Sequence, residues 1–152
     1  ITGTDINPRL VKWAQRYLPQ GRFLTNGISS SLPFEDEEFD LVYAISVFTH
    51  LSEDLQKWWV RELTRVLRPD GLLLITVKGE NWKVELNAEE QDRFDQGQMV
   101  VLEPESSGSN YCGAYHPTDY VKNFLAGELQ VLEHEPCGSL DTRQDFYLMS
   151  KS

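Results

Sequence analysis

Asp5 closes a short run of strand-forming residues, Ile1 to Ile6. An acid at the end of a strand in a nucleotide-binding α/β sheet can accept hydrogen bonds from both ribose hydroxyls. A carboxylate suits that task because it offers two acceptor oxygens and no competing donor. Read alone, Asp5 serves equally well as an acid flanking the helix that follows. Ser46, Val47, Phe48, Thr49 and His50 come at the carboxyl end of a longer apolar run. Ligands of open α/β sheets bind outside such ends, near the switch in strand order. An imidazole titrates near neutral pH, so His50 can act as a general base there or can cap the helix that follows. His116 precedes another helix start, where the positive end of the dipole favours the neutral ring. It too reads as a base or as an N-terminal cap. Trp82, Tyr111, Tyr115 and Asp119 surround it in sequence, and the aromatics read as core or as a substrate cage.

The elements that must position these groups follow from periodicity and turn residues. After the first strand, Asn7 is a good N-cap and Pro8 fits the first helical position. Leu10, Val11, Ala14, Tyr17 and Leu18 then fall on one helical face. Pro19, Gln20 and Gly21 stop that helix, Arg22 to Thr25 makes a second short strand, and Asn26 to Ser31 a loop opening on the turn dipeptide Asn26-Gly27. Phe39 to Ser46 is nearly continuous in apolar residues, as expected of a parallel strand buried on both faces. Ser52 caps a helix with Glu53 and Asp54 in its first turn and a stripe of Leu55, Trp59, Leu63 and Val66. Pro69-Asp70-Gly71 turns the chain, with glycine taking a positive backbone angle, into the apolar strand Leu72 to Val77. Asn87 caps a short helix from Ala88 to Asp95, Met99 to Leu102 reads as a strand, and Glu103 to Asn110 as a flexible stretch. A helix over Pro117 to Leu125 is followed by two strands, Leu129 to Glu133 and Asp145 to Met149, with no helix between them. That pair reads as an antiparallel hairpin, while the earlier alternation of strands and helices gives parallel pairing.

Bulk properties narrow the function classes. The chain has 152 residues, 40% of them hydrophobic, and a net charge of −10. No Lys/Arg cluster forms the basic patch that a nucleic-acid binder needs, and no apolar run reaches the length of a membrane span. The two cysteines, Cys112 and Cys137, follow no metal spacing and imply no disulfide framework, which makes a reducing cytoplasm the expected setting. The chain opens on Ile1 and already reads as strand there, as a fragment would.

Taken in order, these motifs resemble the class I S-adenosylmethionine-dependent methyltransferases. The carriers are the strand ending in Asp5, the loop at Asn26, and the Leu32-Pro33-Phe34 turn before Phe39-Asp40. The Ser46 to His50 loop and the Glu62…Arg65-Val66-Leu67-Arg68-Pro69 helix end complete the set. The match is good from Ile1 to Gly79 and loose beyond. The resemblance implies a Rossmann-like α/β fold, mostly parallel with an antiparallel C-terminal strand pair, lacking the first βα unit. It implies one methyltransferase-like domain over 1–152, incomplete at its N-terminus, with a variable excursion over 80–115 that shapes the acceptor site. The cofactor implied is S-adenosylmethionine, whose sulfonium an acidic protein mildly favours. Asp5 and Ile6 would meet the ribose; Asn26, Gly27 and Ile28 would hold adenine; and Ser46 and Val47 would face the methionine part. His50 and His116 are the candidate bases. The reaction implied is in-line methyl transfer to a small or medium-sized acceptor, with no metal, nucleic acid or membrane partner and with oligomers possible through exposed sheet edges. Two alternatives remain at this level: a methyltransferase-like domain that binds without catalysis, and a nicotinamide-dependent oxidoreductase. The family's glycine-rich first motif would precede Ile1, and relatives usually carry glycine at the position of Asp70, a departure that aspartate tolerates in turns.

Overall fold

Parallel strands need a crossover to connect them, and the first thirty-odd residues supply one. The computed structural model describes residues 1–152, which divide into two compact units, Ile1–Pro33 and Phe34–Ser152. In the first unit, strand β1 (Thr2–Asp5) leads into helix α1 (Pro8–Tyr17) and returns as β2 (Arg22–Thr25), parallel to β1 with Asp5 opposite Thr25. The helix starts where expected: the Asn7 side chain accepts the Arg9 backbone N–H at 3.0 Å, and Pro8 occupies the first position. The expected apolar stripe is not a buried one. Val11 is buried, but Leu10 and Tyr17 are 55% and 56% exposed. A two-stranded sheet offers too little surface to cover a whole helical face, so periodicity located the stripe but not its burial.

The second unit is built on a four-stranded sheet in the order β3-β4-β8-β7. Strand β3 (Phe39–Ala44) is followed by a 3₁₀ turn (Phe48–His50), helix α2 (Glu53–Val66) and strand β4 (Leu67–Val77). Then come a 3₁₀ turn (Glu80–Glu85), helix α3 (Ala88–Asp95), strand β5 (Val100–Leu102), a further 3₁₀ turn (Pro104–Ser106) and strand β6 (Gly113–Tyr115). A short helix α4 (Thr118–Tyr120) runs into a π-helical turn (Val121–Leu125), and strands β7 (Gln130–Ser139) and β8 (Gln144–Ser150) close the chain. β3 and β4 are parallel, while β8 is antiparallel to both β4 and β7. The α/β architecture with its antiparallel final pair therefore matches the sequence reading. β5 and β6 form a separate antiparallel pair, packed on a small core of Leu86, Phe94, Val100 and Tyr115. Helix α3 begins with a full capping box between Asn87 and Glu90. No helix is long and apolar enough to cross a membrane.

Three sequence expectations are corrected. β3 is an edge strand of its sheet, not one buried on both faces: Leu41 and Tyr43 are 51% and 63% exposed. The doubly covered strand is β4, where Leu73, Ile75 and Val77 have no exposure. Secondly, Pro69-Asp70-Gly71 does not separate helix from strand. It is an outward bulge in β4, across which the register jumps from Phe39↔Leu67 to Leu41↔Leu72. Asp70, not Gly71, takes the positive angle, at φ 61°, a conformation that aspartate tolerates. Gly71 is needed for a different reason, since a Cβ there would lie 2.8 Å from the Arg68 carbonyl oxygen. Thirdly, the helix α2 stripe is shifted. Gln56, Val60, Glu62, Leu63 and Val66 are its buried residues, while Leu55 and Trp59 are only half-buried.

The acidic turn before β3 is fastened by the end of α2. Arg65 bonds Glu62 Oε1 and Asp36 Oδ1, each at 2.7 Å, and also donates to the Phe34 carbonyl at 2.9 Å. Arg68 pairs with Asp40 at 2.6 Å. These arginines thus do more than complement the helix dipole: they set where β3 enters the sheet.

Candidate functional site

The expected ligand residues fall into two groups, one in each unit. In the first unit, Asp5 and the Asn26 loop come together because parallel strands end side by side. The Asn26 backbone N–H donates to the Asp5 carbonyl at 3.2 Å. One Asp5 carboxylate oxygen accepts the Asn7 N–H at 2.6 Å, which leaves Oδ2 for a ligand. The Asn26 amide donates to the Gly27 carbonyl at 2.9 Å, and its oxygen is buried with no hydrogen-bond partner. A buried acceptor without a donor is a standing cost, and an exocyclic amine of a heterocycle would supply the donor. Gly27 makes room at this loop, because a Cβ there would collide with the Ser30 hydroxyl. Ile6 and Ile28 are exposed apolar neighbours, at 41% and 37%. The donor-poor, acceptor-rich chemistry of these residues fits the nucleoside half of S-adenosylmethionine.

In the second unit, β3 ends at Ala44 and the chain bends sharply at Ser46, whose φ is 56°. Val47 is 47% exposed, whereas Phe48 and Thr49 are buried beneath it. His50 Nδ1 lies 2.9 Å from the Cys112 carbonyl. A carbonyl only accepts, so Nδ1 carries the hydrogen and the lone pair sits on Nε2. The segment expected to be flexible grips this loop from the other side. Gly108 N–H donates to the His50 carbonyl at 2.7 Å, and Ser52 N–H donates to Ser107 Oγ at 2.9 Å. Serine-capped turns, Ser107 Oγ to the Pro104 carbonyl and Ser109 Oγ to the Ser106 carbonyl, give that segment a defined course.

His116 is placed differently from His50. It has no exposed surface, so it cannot meet an acceptor in this conformation. Its Nε2 lies 2.8 Å from Gln56 Oε1. The Gln56 amide nitrogen in turn donates to the carbonyls of Phe48, at 2.8 Å, and Leu51, at 2.9 Å. Those two bonds fix the amide's orientation, so Oε1 must accept and His116 Nε2 must donate. The imidazole therefore braces the His50 turn through Gln56. Sequence reasoning missed Gln56 because it sits on the buried stripe of α2, where a polar residue breaks the pattern; that break was the available signal.

Burial holds the His116 pKa down to about 3, against an ordinary value of 6.5. A folded-state pKa below the unfolded one means that the unfolded chain binds the proton first. Stability is therefore full above about pH 6.5 and is lost as the pH falls toward 3, by up to ~1.4 kcal/mol per pH unit. Replacing His116 with Gln removes that component. Urea unfolding at pH 5 and pH 7 is expected to show a smaller acid-side loss in the variant than in the parent.

No group of three or more His, Cys, Asp or Glu side chains is arranged to hold a metal. Both cysteines are free thiols.

Residues 1–75 match a family model described as a methyltransferase domain. Over 80 residues the chain is 40% identical to phthiotriol/phenolphthiotriol dimycocerosates methyltransferase 1 of Mycobacterium ulcerans, covering 49% of this chain and 27% of that protein. The chain thus spans about a quarter of the length of that curated relative. A crystal structure of a SAM-dependent methyltransferase from Methanosarcina mazei superposes with a TM-score of 0.70 at 17% identity, covering 99% of this chain and 81% of that one. A second is the Burkholderia thailandensis 1,6-didemethyltoxoflavin-N1-methyltransferase, with 1,6-didemethyltoxoflavin and S-adenosylhomocysteine bound. It gives a TM-score of 0.69 at 15% identity, covering 99% of this chain and 60% of that one. At these identities the two structures speak to the fold.

Proposed function

We propose that this chain belongs to the class I S-adenosylmethionine-dependent methyltransferase family, on its family-model match over residues 1–75, and that the protein transfers a methyl group to a small or medium-sized acceptor. The observation that carries the reading is the paired end of β1 and β2. There a half-free Asp5 carboxylate stands beside a buried Asn26 oxygen that lacks a donor. Asp5, with Ile6 beside it, takes the ribose; Asn26, Gly27 and Ile28 take the adenine. The bound cofactor supplies an electrophilic methyl on a sulfonium. Such a displacement depends above all on in-line positioning.

In the second unit, the loop carrying Ser46, Val47 and His50 faces the acceptor. His50 Nε2 accepts the proton that the acceptor loses, with Nδ1–H held by the Cys112 carbonyl. His116 holds the turn and takes no proton. Residues 80–115 shape the acceptor's surroundings. The methyltransferase-domain match supports this reading over the nicotinamide-dependent oxidoreductase alternative.

The test uses the full-length protein, S-adenosylmethionine tritiated on its methyl group, and a small-molecule extract of the source cells. Label is expected to move into the small-molecule fraction. Label confined to macromolecules would overturn the small-acceptor reading. Stable cofactor binding without any transfer would establish the non-catalytic alternative instead.

A further inference from the structure

Ser46 is a serine in a backbone conformation that residues with a Cβ avoid, at φ 56°, and it sits where β3 turns toward His50. Backbone outliers of this kind persist only where the surroundings over-determine them. Here the surroundings are a closed ring of hydrogen bonds drawn from three separate parts of the chain. The Ser46 backbone N–H donates to Thr76 Oγ1 at 2.8 Å. Thr76 Oγ1 donates to Gln144 Oε1 at 2.6 Å. Gln144 Nε2 donates back to Ser46 Oγ at 2.9 Å. Thr49 Oγ1 closes the loop on itself by donating to the Ser46 carbonyl at 3.2 Å.

Donor and acceptor roles agree all the way around this ring. Thr76 Oγ1 accepts once and donates once, while the Gln144 amide accepts through Oε1 and donates through Nε2. The ring is enclosed on the Thr76 and Gln144 side, where the two residues are 1% and 4% exposed, while Ser46 is half-buried and Thr49 below it is fully buried. A satisfied buried network of this type rigidifies what it touches. Thr76 lies near the end of β4 and Gln144 opens β8, the antiparallel neighbour of β4. The last strand of the sheet therefore reaches across β4 to the loop that leaves β3.

We propose that Thr76 and Gln144 form a lock that holds Ser46 in its left-handed conformation and so positions His50, making Ser46 a positioning residue and not a cofactor ligand. The proposal rests on the methyl-transfer reading of this loop. Ser46 gives its amide hydrogen to Thr76, its carbonyl accepts from Thr49, and its hydroxyl accepts from Gln144 and donates over a long 3.4 Å contact to Thr49 Oγ1, so its polar groups are committed within the protein. His50 follows four residues later, its own N–H on the Val47 carbonyl at 3.0 Å and its ring on the Cys112 carbonyl. If the bend at Ser46 relaxes, the first of these anchors moves.

The test is Gln144→Met in the full-length protein. Methionine keeps the length of the side chain and removes both hydrogen bonds. Hydrogen exchange of the amides in residues 45–51 is expected to quicken about tenfold or more. With methyl transfer as the readout, kcat is expected to fall about tenfold while KM for the cofactor changes by less than about threefold. Adding Ser46→Gly to Gln144→Met supplies a residue that takes positive φ unaided, and kcat is expected to recover most of the loss. Parental exchange in Gln144→Met, or a kcat loss that glycine does not restore, overturns the lock. Should Gln144→Met not fold, Thr76→Val opens the same ring from the β4 side and is read in the same way. If the parent protein transfers no methyl group, the methyl-transfer reading fails, while the exchange measurement still decides whether the lock exists.

Discussion

Replacing Gln56 with Leu is expected to destabilise the protein by about 2–4 kcal/mol. Gln56 is fully buried, and its amide serves three groups at once: the Phe48 and Leu51 carbonyls and the His116 Nε2–H. Leucine fills similar space, so the loss is not one of packing. It is the cost of leaving buried polar groups without partners, each worth about 1–3 kcal/mol. The Phe48 carbonyl keeps a long 3.4 Å bond from the Leu51 N–H, which holds the sum below its upper limit. Urea unfolding reads the loss directly. A change below about 1 kcal/mol would mean that water or a shifted side chain replaces the amide, within the usual spread of buried-bond deletions. Because the orphaned carbonyls flank His50, the variant should also lose methyl transfer under conditions where it remains folded.

Asp5→Ala is expected to weaken cofactor binding by about 1–3 kcal/mol in the full-length protein, or roughly five- to 150-fold in affinity. The half-free carboxylate is the group at the β1–β2 end able to accept from two hydroxyls together. Its other oxygen receives the Asn7 N–H, so some of the effect will appear as a looser start to α1. Asp5→Asn separates the two contributions, since it keeps an acceptor oxygen for Asn7 and reduces what remains for the ribose. Asn is expected to recover the thermal stability lost in Ala while recovering little of the affinity. Unchanged affinity in Asp5→Ala would remove Asp5 from the site.

Much of this fold was legible because local signals agree with one another. Asn7-Pro8 at the start of α1 and Asn87…Glu90 at the start of α3 name their helix ends by side-chain chemistry that acts within a turn. The two final strands lacked a helix between them, which left little but an antiparallel pair. What stayed hidden depended on neighbours distant in sequence. The apolar run of β3 reads as a buried strand, yet burial is a property of the sheet around it, and β3 lies at an edge. The Pro69-Asp70-Gly71 turn gave its residue types correctly but not its role as a bulge, which is set by pairing with β3. At the candidate site, Asp5, Asn26 and His50 were found from their position after strands. Gln144 was not: its partner Ser46 lies almost a hundred positions earlier, and no local pattern marks a glutamine that opens a strand. His116 was found as a candidate base, but its enclosure is visible only once α2 and the end of β4 are packed around it.

We propose that the end of β1 and β2 holds the nucleoside of S-adenosylmethionine. Parallel calorimetric titrations of the full-length protein with S-adenosylmethionine and with NAD test it most directly. Saturable one-site binding of S-adenosylmethionine, weakened in Asp5→Ala, is expected, with no saturable heat from NAD. Saturable binding of NAD with none of S-adenosylmethionine would contradict it.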